Sequence, residues 1–262
     1  MRIRDLAAVA AALLTATPAP AEAQATRDRA RLVFTISGAS IQGRGLWSVA
    51  SQPVQDAPAV DNFTLSRSIQ TTLGAGFSGT YYGGDNLGLG VDFVLLGLGY
   101  DDACRLAGPL QSSRSAQVCD DIDQQEKSAA AVTVSAGATY RFYSRELISP
   151  FIRVNAGLLF SNQSSILTQG FDDEGALLVV YEDEKRGRVT PSFAVGIGAT
   201  TPLGRAYHLR WEVRDNIVGI ESVTGASPGP RVVPPHDRRY KHLFSILIGI
   251  DVLLERDRGR RY

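Results

Sequence analysis

The chain has 262 residues, 44% of them hydrophobic, and its 27 basic side chains are balanced by 27 acidic ones. That balance supplies no global positive field, which argues against a nucleic-acid partner. Mean hydropathy is close to zero, and beyond the N-terminus no apolar run reaches the ~18 residues a membrane helix needs, so any entry into a bilayer must rest on alternating hydrophobicity. Glycine is abundant at 26, with one methionine and three histidines, a profile suited to strands and tight turns.

Residues 1–23 read as an export signal: Arg2 and Arg4 give a positive start, Leu6 to Thr15 an apolar stretch, and Ala21-Glu22-Ala23 a small-residue cleavage site that would leave Gln24 at the new N-terminus. The apolar stretch is too short for a membrane anchor.

From there, period-2 alternation runs through the chain and predicts eight strands, at about 31–41, 62–80, 87–101, 127–142, 148–161, 188–201, 206–219 and 240–254. The first, Leu32 to Ser40, is short and irregular. In the second, Ile69, Leu73 and Phe77 oppose Gln70, Thr72, Gly74, Gly76 and Ser78. In the third, Leu87, Leu89, Val91, Phe93 and Leu95 oppose Gly88, Gly90, Asp92, Val94 and Leu96. The pattern continues through Val134, Ala136 and Tyr140 against Ser135, Gly137 and Arg141, then Ile152, Val154 and Leu158 against Arg153, Asn155 and Gly157. Val195 and Ile197 next oppose Gly196 and Gly198, and Leu209, Trp211 and Val213 oppose Arg210, Glu212 and Arg214. In the last strand Phe244, Ile246, Ile248, Ile250 and Val252 oppose Ser245, Leu247, Gly249 and Asp251. Each segment is long enough to span a bilayer as a tilted strand.

Three connections are short (81–86, 143–147 and 202–205) and four are long (42–61, 102–126, 162–187 and 220–239), in strict alternation. A meander with both termini on one side gives this order, and membrane barrels place their short turns on one side and long loops on the other. In the second long loop Cys104 and Cys119 flank a polar stretch; in an exported chain these read as a disulfide, since no neighbouring cysteine or histidine makes a metal set. The expected domains are thus the signal, a barrel over 24–254, and a charged tail over 255–262.

Alternation alone leaves open which face points in, and a soluble lipocalin-like periplasmic barrel would turn its apolar face inward. Two features favour the membrane reading. The polar face combines glycines with charges, as a narrow eight-stranded interior requires. Aromatic residues Tyr81, Tyr82, Tyr140, Phe142, Tyr143 and Tyr207 gather beside the short turns as one interfacial girdle, and Tyr100, Phe160, Tyr240 and Phe244 supply the other.

This layout, over residues 31–254, resembles the small bacterial outer-membrane barrels of the OmpA/OmpX type, and Leu209-Arg210-Trp211-Glu212-Val213-Arg214-Asp215 is similar to an Arg-x-Glu-x-Arg-Asp penultimate strand of some bacterial barrel families. The resemblance implies an all-β, up-and-down transmembrane barrel in a Gram-negative outer membrane. It also implies a monomer that is folded by the barrel-assembly machinery and touches outer-membrane lipid and lipopolysaccharide. Such proteins end their last strand on an aromatic residue; here Leu253-Leu254 leads into a charged tail before Tyr262.

Inward charges Asp92, Arg141, Arg153, Arg210, Glu212, Arg214 and Asp251 are expected to form a lumen network, with Arg210–Asp251 as its first pair, because an isolated buried charge is costly. His208 is expected to point inward, and His236 and His242 to sit at the loop end; no serine and carboxylate stand at a spacing that would make them a lipid A-modifying site. The acidic runs Asp120–Glu126 and Asp172–Glu184, and the basic Arg231, Arg238, Arg239 and Lys241, match no calcium loop and read as solvated. No cofactor or metal is expected. The function implied is a non-enzymatic outer-membrane barrel with a structural, surface-interaction or limited permeation role.

Overall fold

Backbone groups that enter hydrocarbon must be paired within the protein, and a sheet achieves this only by closing on itself. The computed structural model describes residues 29–56, 59–109, 112–127, 130–143, 147–183, 188–204, 206–229 and 232–257, so the expected signal and the last five residues of the tail lie outside the described residues. In chain order the strands are β1 (Arg29–Ile41), β2 (Gly45–Asp56), β3 (Ala59–Ile69), β4 (Thr72–Tyr82), β5 (Leu87–Gly97), β6 (Tyr100–Leu106), β7 (Glu126–Lys127), β8 (Ala130–Arg141), β9 (Ser149–Ser161), β10 (Thr168–Phe171), β11 (Leu177–Tyr181), β12 (Arg188–Pro202), β13 (Tyr207–Val223) and β14 (His236–Asp257), with helix α1 (Ser113–Gln124) between β6 and β7. Eight of them form a closed antiparallel barrel in the order β1-β14-β13-β12-β9-β8-β5-β4. Closure is made by β1, which pairs with β14 through Ile36↔Ile250 and with β4 through Ile36↔Phe77.

The fold class read from the sequence is the one observed, while the long connections carry more structure than alternation suggested. The segment expected as one strand over 62–80 breaks at Gln70–Thr71, where the Gln70 N–H donates to Gly99 O at 2.8 Å and the chain passes from a second sheet into the barrel wall. Alternation runs across the break and conceals it: Ile69 is 3% exposed in a core above the barrel, while Leu73, on the wall, is 80% exposed. The strand expected over 87–101 breaks likewise after Gly97. Three of the expected loops, together with the pieces split from these two strands, hold a four-stranded sheet in the order β2-β3-β6-β7, the helix α1 and the hairpin β10–β11, and in the fourth β13 and β14 continue well past the expected barrel wall.

Together these elements cap the barrel on the side opposite the short turns. Helix α1 begins at Ser112, whose hydroxyl accepts the Ser115 N–H, and it buries Val118, Cys119 and Ile122 on one face. Cys104 on β6 and Cys119 on α1 are joined with their Cα atoms 5.3 Å apart, fixing the helix to the sheet. At the centre lies Arg67, 1% exposed. Its guanidinium pairs with Asp102, with 2.7 Å between Nη2 and Oδ2, and donates to Leu167 O at 2.8 Å and Thr168 Oγ1 at 3.2 Å. It lies 5.3 Å from the Trp47 ring and 5.6 Å from that of Tyr100.

Around Arg67, Phe63, Leu65, Ile122, Ile166 and Tyr181 form an apolar core that continues into the barrel mouth through Leu96, Leu159, Val218 and Leu243. Burial raises the Tyr100 and Tyr181 hydroxyls above the ordinary tyrosine value.

Arg67→Met removes the guanidinium that faces the buried Asp102 carboxylate and bonds Leu167 O and Thr168 Oγ1, and a loss of about 3–5 kcal/mol in cap stability is expected; limited trypsin digestion should cut the cap while the heat-dependent gel shift of the barrel persists. Breaking the disulfide with Cys104→Ser and Cys119→Ser should cost about 3 kcal/mol for a loop of this size, seen as faster hydrogen exchange in α1 and β6 and an unchanged barrel wall.

Candidate functional site: barrel lumen and outer rim

Every second residue of the wall points into the lumen, and the inward set falls into three layers. At the short-turn end Tyr82 turns inward, 3% exposed, with the Arg141 guanidinium 3.5 Å from its ring centre. Arg141 also donates to Asp85 O at 3.2 Å. This corrects the expectation that Tyr82 belongs to the interfacial girdle. Gly88 makes the inward turn possible, because a Cβ there would lie 2.7 Å from Tyr82 ring carbons.

The middle layer is ionic. Arg153 donates to both Asp92 oxygens at 2.8 and 3.0 Å, to Thr139 Oγ1 at 3.0 Å and to Thr80 Oγ1 at 3.2 Å. Asp92 also receives Asn155 and stands 3.2 Å from Arg214, which donates to Glu212 Oε1 at 2.7 Å. The other Glu212 oxygen accepts Arg210 at 2.8 Å. Arg210 lies 3.7 Å from Asp251, whose other oxygen accepts Thr35 Oγ1 at 2.7 Å. Six of the seven charges singled out in the sequence therefore meet as three arginines against three carboxylates, while Arg141 lies at the short-turn end against Tyr82 and Asp85. Arg210 makes its tighter contact with Glu212, because strand register sets it opposite Gly249 and sets His208 opposite Asp251. Arg210 is also 4.0 Å from the Phe151 ring centre. Gly196 gives Glu212 its room: a Cβ there would sit 2.4 Å from Oε1. The space left among these groups holds about one water molecule.

In the third layer the apolar Leu96, Ala131, Leu159, Val218 and Leu243 join the cap core, with Thr133 and Thr190 beside Leu159 and Asn216 donating to Leu243 O at 3.0 Å. Alternation placed Leu96 opposite the lipid face but did not show that this end of the lumen merges with a second core; the repeated apolar inward residues near the long-loop ends were the available signal. Arg67 and Asp102 lay hidden in stretches read as plain strand and loop.

Outward, the wall reverses this chemistry. Val195, Ile246 and Ile248 are 46%, 49% and 60% exposed, against 5% for Arg210 and 1% for Glu212. The lipocalin-like alternative, with its apolar face inside, is thereby overturned. Tyr81, Tyr140, Phe142, Tyr143 and Tyr207 ring the short-turn end, and Phe160, Tyr240 and Phe244 are exposed at the other. Tyr100, expected in the second girdle, is instead 2% exposed inside the cap.

Of the histidines, His242 Nδ1 lies 2.7 Å from Asp215 Oδ2, while His236 has Pro234 O at 2.8 Å from Nδ1 and Glu221 Oε2 at 3.3 Å from Nε2. Among the described residues neither has a serine hydroxyl as partner. The acidic Asp172 is tied into the cap: it accepts the Ala176 N–H at 2.7 Å and the Arg114 guanidinium at 2.6 Å, which hold its carboxyl below the ordinary value.

A closed wall of eight antiparallel strands, apolar outward across the width of a bilayer and ionic within, defines the class: a transmembrane β-barrel. No protein-family model and no curated protein sequence matches the chain. Among solved structures it is similar to Neisserial surface protein A (11% identity over 85% of this chain and 97% of that one, TM-score 0.41), and to Ail, the attachment invasion locus protein of Yersinia pestis (12%, 86% and 98%, 0.42). It is similar also to the outer membrane protein AlkL (17%, 90% and 93%, 0.39). Similarity this distant carries no function across.

Glu212→Gln removes the carboxylate that two arginines share and leaves the buried layer with one excess positive charge, at a cost of about 3–5 kcal/mol. A lower urea midpoint for loss of the compact gel form in phospholipid vesicles checks it, and an unchanged midpoint would show that the arginines are hydrated.

Proposed function

We propose that this chain is an integral, non-enzymatic protein of a bacterial outer membrane, in which the barrel is a closed anchor and the cap is a folded surface presented outside the cell. The observation that carries this reading is the filled lumen. The ionic layer leaves room for about one water molecule, and the layer above it packs into the cap core, so a hydrated ion meets charge-paired side chains and then closely packed ones. Limited permeation, one of the roles the sequence left open, is therefore set below surface interaction.

The side assignment is supported by the strict division between short turns and long connections, the long ones facing outward in membrane barrels. A disulfide in the cap suits an oxidising exterior. In this reading the chain works as a monomer delivered by an export signal and folded by the barrel-assembly machinery. The cap supplies what a surface-interaction role needs, a rigid, cross-linked unit of sheet, helix and hairpin with its own core.

In planar bilayers the purified barrel should give no conductance steps; regular steps would overturn the closed-anchor reading. Protease added to intact cells after reduction should release cap fragments and spare a membrane-protected core, and complete protection of the cap would place it on the wrong side.

A further inference from the structure

The lipid-facing stripe of β14 runs through Phe244, Ile246, Ile248 and Ile250 to Val252, a length that fits the 9–11 tilted residues of a spanning strand. Just beyond its cap-side end the surface becomes cationic. Arg44, in the β1–β2 connection, holds its guanidinium 5.1 Å from the Phe244 ring centre. Its position is fixed by the backbone: Arg44 O accepts the Ile69 N–H at 2.8 Å, and the preceding Gly43 packs so closely that a Cβ would lie 1.8 Å from Ile69 O. From β14, Lys241 Nζ donates to Gly45 O at 3.3 Å, which brings a second cation to the same connection. His242 lies on the outward face two residues from Phe244, paired with Asp215, and the exposed Arg239 stands two residues from Lys241 on its side of the strand.

The counter-charge is scarce. Among the described residues Arg44, Lys241 and Arg239 make no ion pair with a carboxylate; Asp215 is taken by His242, Asp237 accepts the backbone N–H of Arg238, and Arg238 turns to Glu221 at 3.9 Å. Burial and then the neighbouring Arg239 charge lower the Lys241 pKa, so like charges are held together here without an anion from the protein. Unpaired cations at the boundary between an apolar stripe and water match an amphiphile with an anionic head and acyl tails.

We propose that this rim binds the phosphate-bearing headgroup of an outer-leaflet lipid, with Arg44 and Lys241 meeting the phosphate and the stripe below Phe244 seating the acyl chains. The proposal rests on the membrane reading above. Arg and Lys donate strong charge-assisted hydrogen bonds to phosphate oxygens.

The test uses the full chain refolded into phosphatidylcholine nanodiscs carrying a minor fraction of either phosphatidic acid or diacylglycerol, with bound lipid read by native mass spectrometry after detergent release. Phosphatidic acid should be retained and diacylglycerol lost. Arg44→Gln with Lys241→Gln should cut retention about tenfold, equivalent to about 1.4 kcal/mol, and Arg44→Lys with Lys241→Arg should restore it. Equal retention by the glutamine variant, or retention of diacylglycerol as well as phosphatidic acid, overturns the proposal. So does displacement by equimolar inorganic phosphate, which would assign the rim to a free anion. Heat-dependent gel mobility on the same samples separates the two readings: its absence in the unmodified chain removes the membrane barrel itself, whereas its presence with no lipid retained removes only the headgroup site.

Discussion

Closure of the wall is the constraint from which the other features follow. An open edge in hydrocarbon would strand a row of N–H and C=O groups at several kcal/mol each, and β1 removes that edge by pairing with both β4 and β14. Closing only eight strands then dictates the interior, because a ring of that size has space for side chains and little else. Once the ring is shut, each inward charge must belong to a matched set, and the residues beside it must be small or shaped to the space that remains. Gly196 shows how tightly the choices are coupled, since its missing Cβ is the volume that the Glu212 carboxylate occupies.

Within that space the ionic layer is better understood as a requirement of specificity than as a source of stability. Each of Arg153, Arg210 and Arg214 loses hydration on burial, and its carboxylate contacts repay this only because every partner is in place. The equal count of arginines and carboxylates among Asp92, Arg153, Arg210, Glu212, Arg214 and Asp251 lets the layer exist without an uncompensated charge. A shift of register by one residue in β13 would turn Arg210, Glu212 and Arg214 toward lipid and bring Leu209, Trp211 and Val213 inside. The network thus penalises the wrong pairing more than it rewards the right one.

The wall was legible in the sequence because its two faces meet different solvents, lipid outside and a crowded polar interior, and a two-sided boundary writes itself as period-2 alternation. The ionic residues were legible for the same reason, being charges on the face opposite Ile246 and Val195. The cap was not. Its strands alternate too, so Ile69 and Leu73 read as one continuous face although one lies in the cap core and the other on the lipid-facing wall. Helix α1 spans few turns and its buried set of Val118, Cys119 and Ile122 is small, too weak a signature to stand out in a polar stretch. Arg67 was invisible for a different reason. A buried arginine is recognised only by the partners that long-range folding delivers, here Asp102 thirty-five residues away and Leu167 and Thr168 about a hundred away.

Two solvents also explain how the halves of the molecule depend on each other. The wall is held by paired backbone groups and contact with lipid, whereas the cap must bury apolar area from water in the ordinary way. The two meet at Ile41, Leu96, Leu159, Val218 and Leu243, which project inward from the wall yet belong to the cap core. The cap core is incomplete without them, so its packing depends on the closed ring. The converse does not hold, because the wall's hydrogen bonds and ionic layer lie below this junction and contain no residue from the cap. The closed wall thereby positions the cap, and the disulfide and Arg67 hold the parts of that surface to one another.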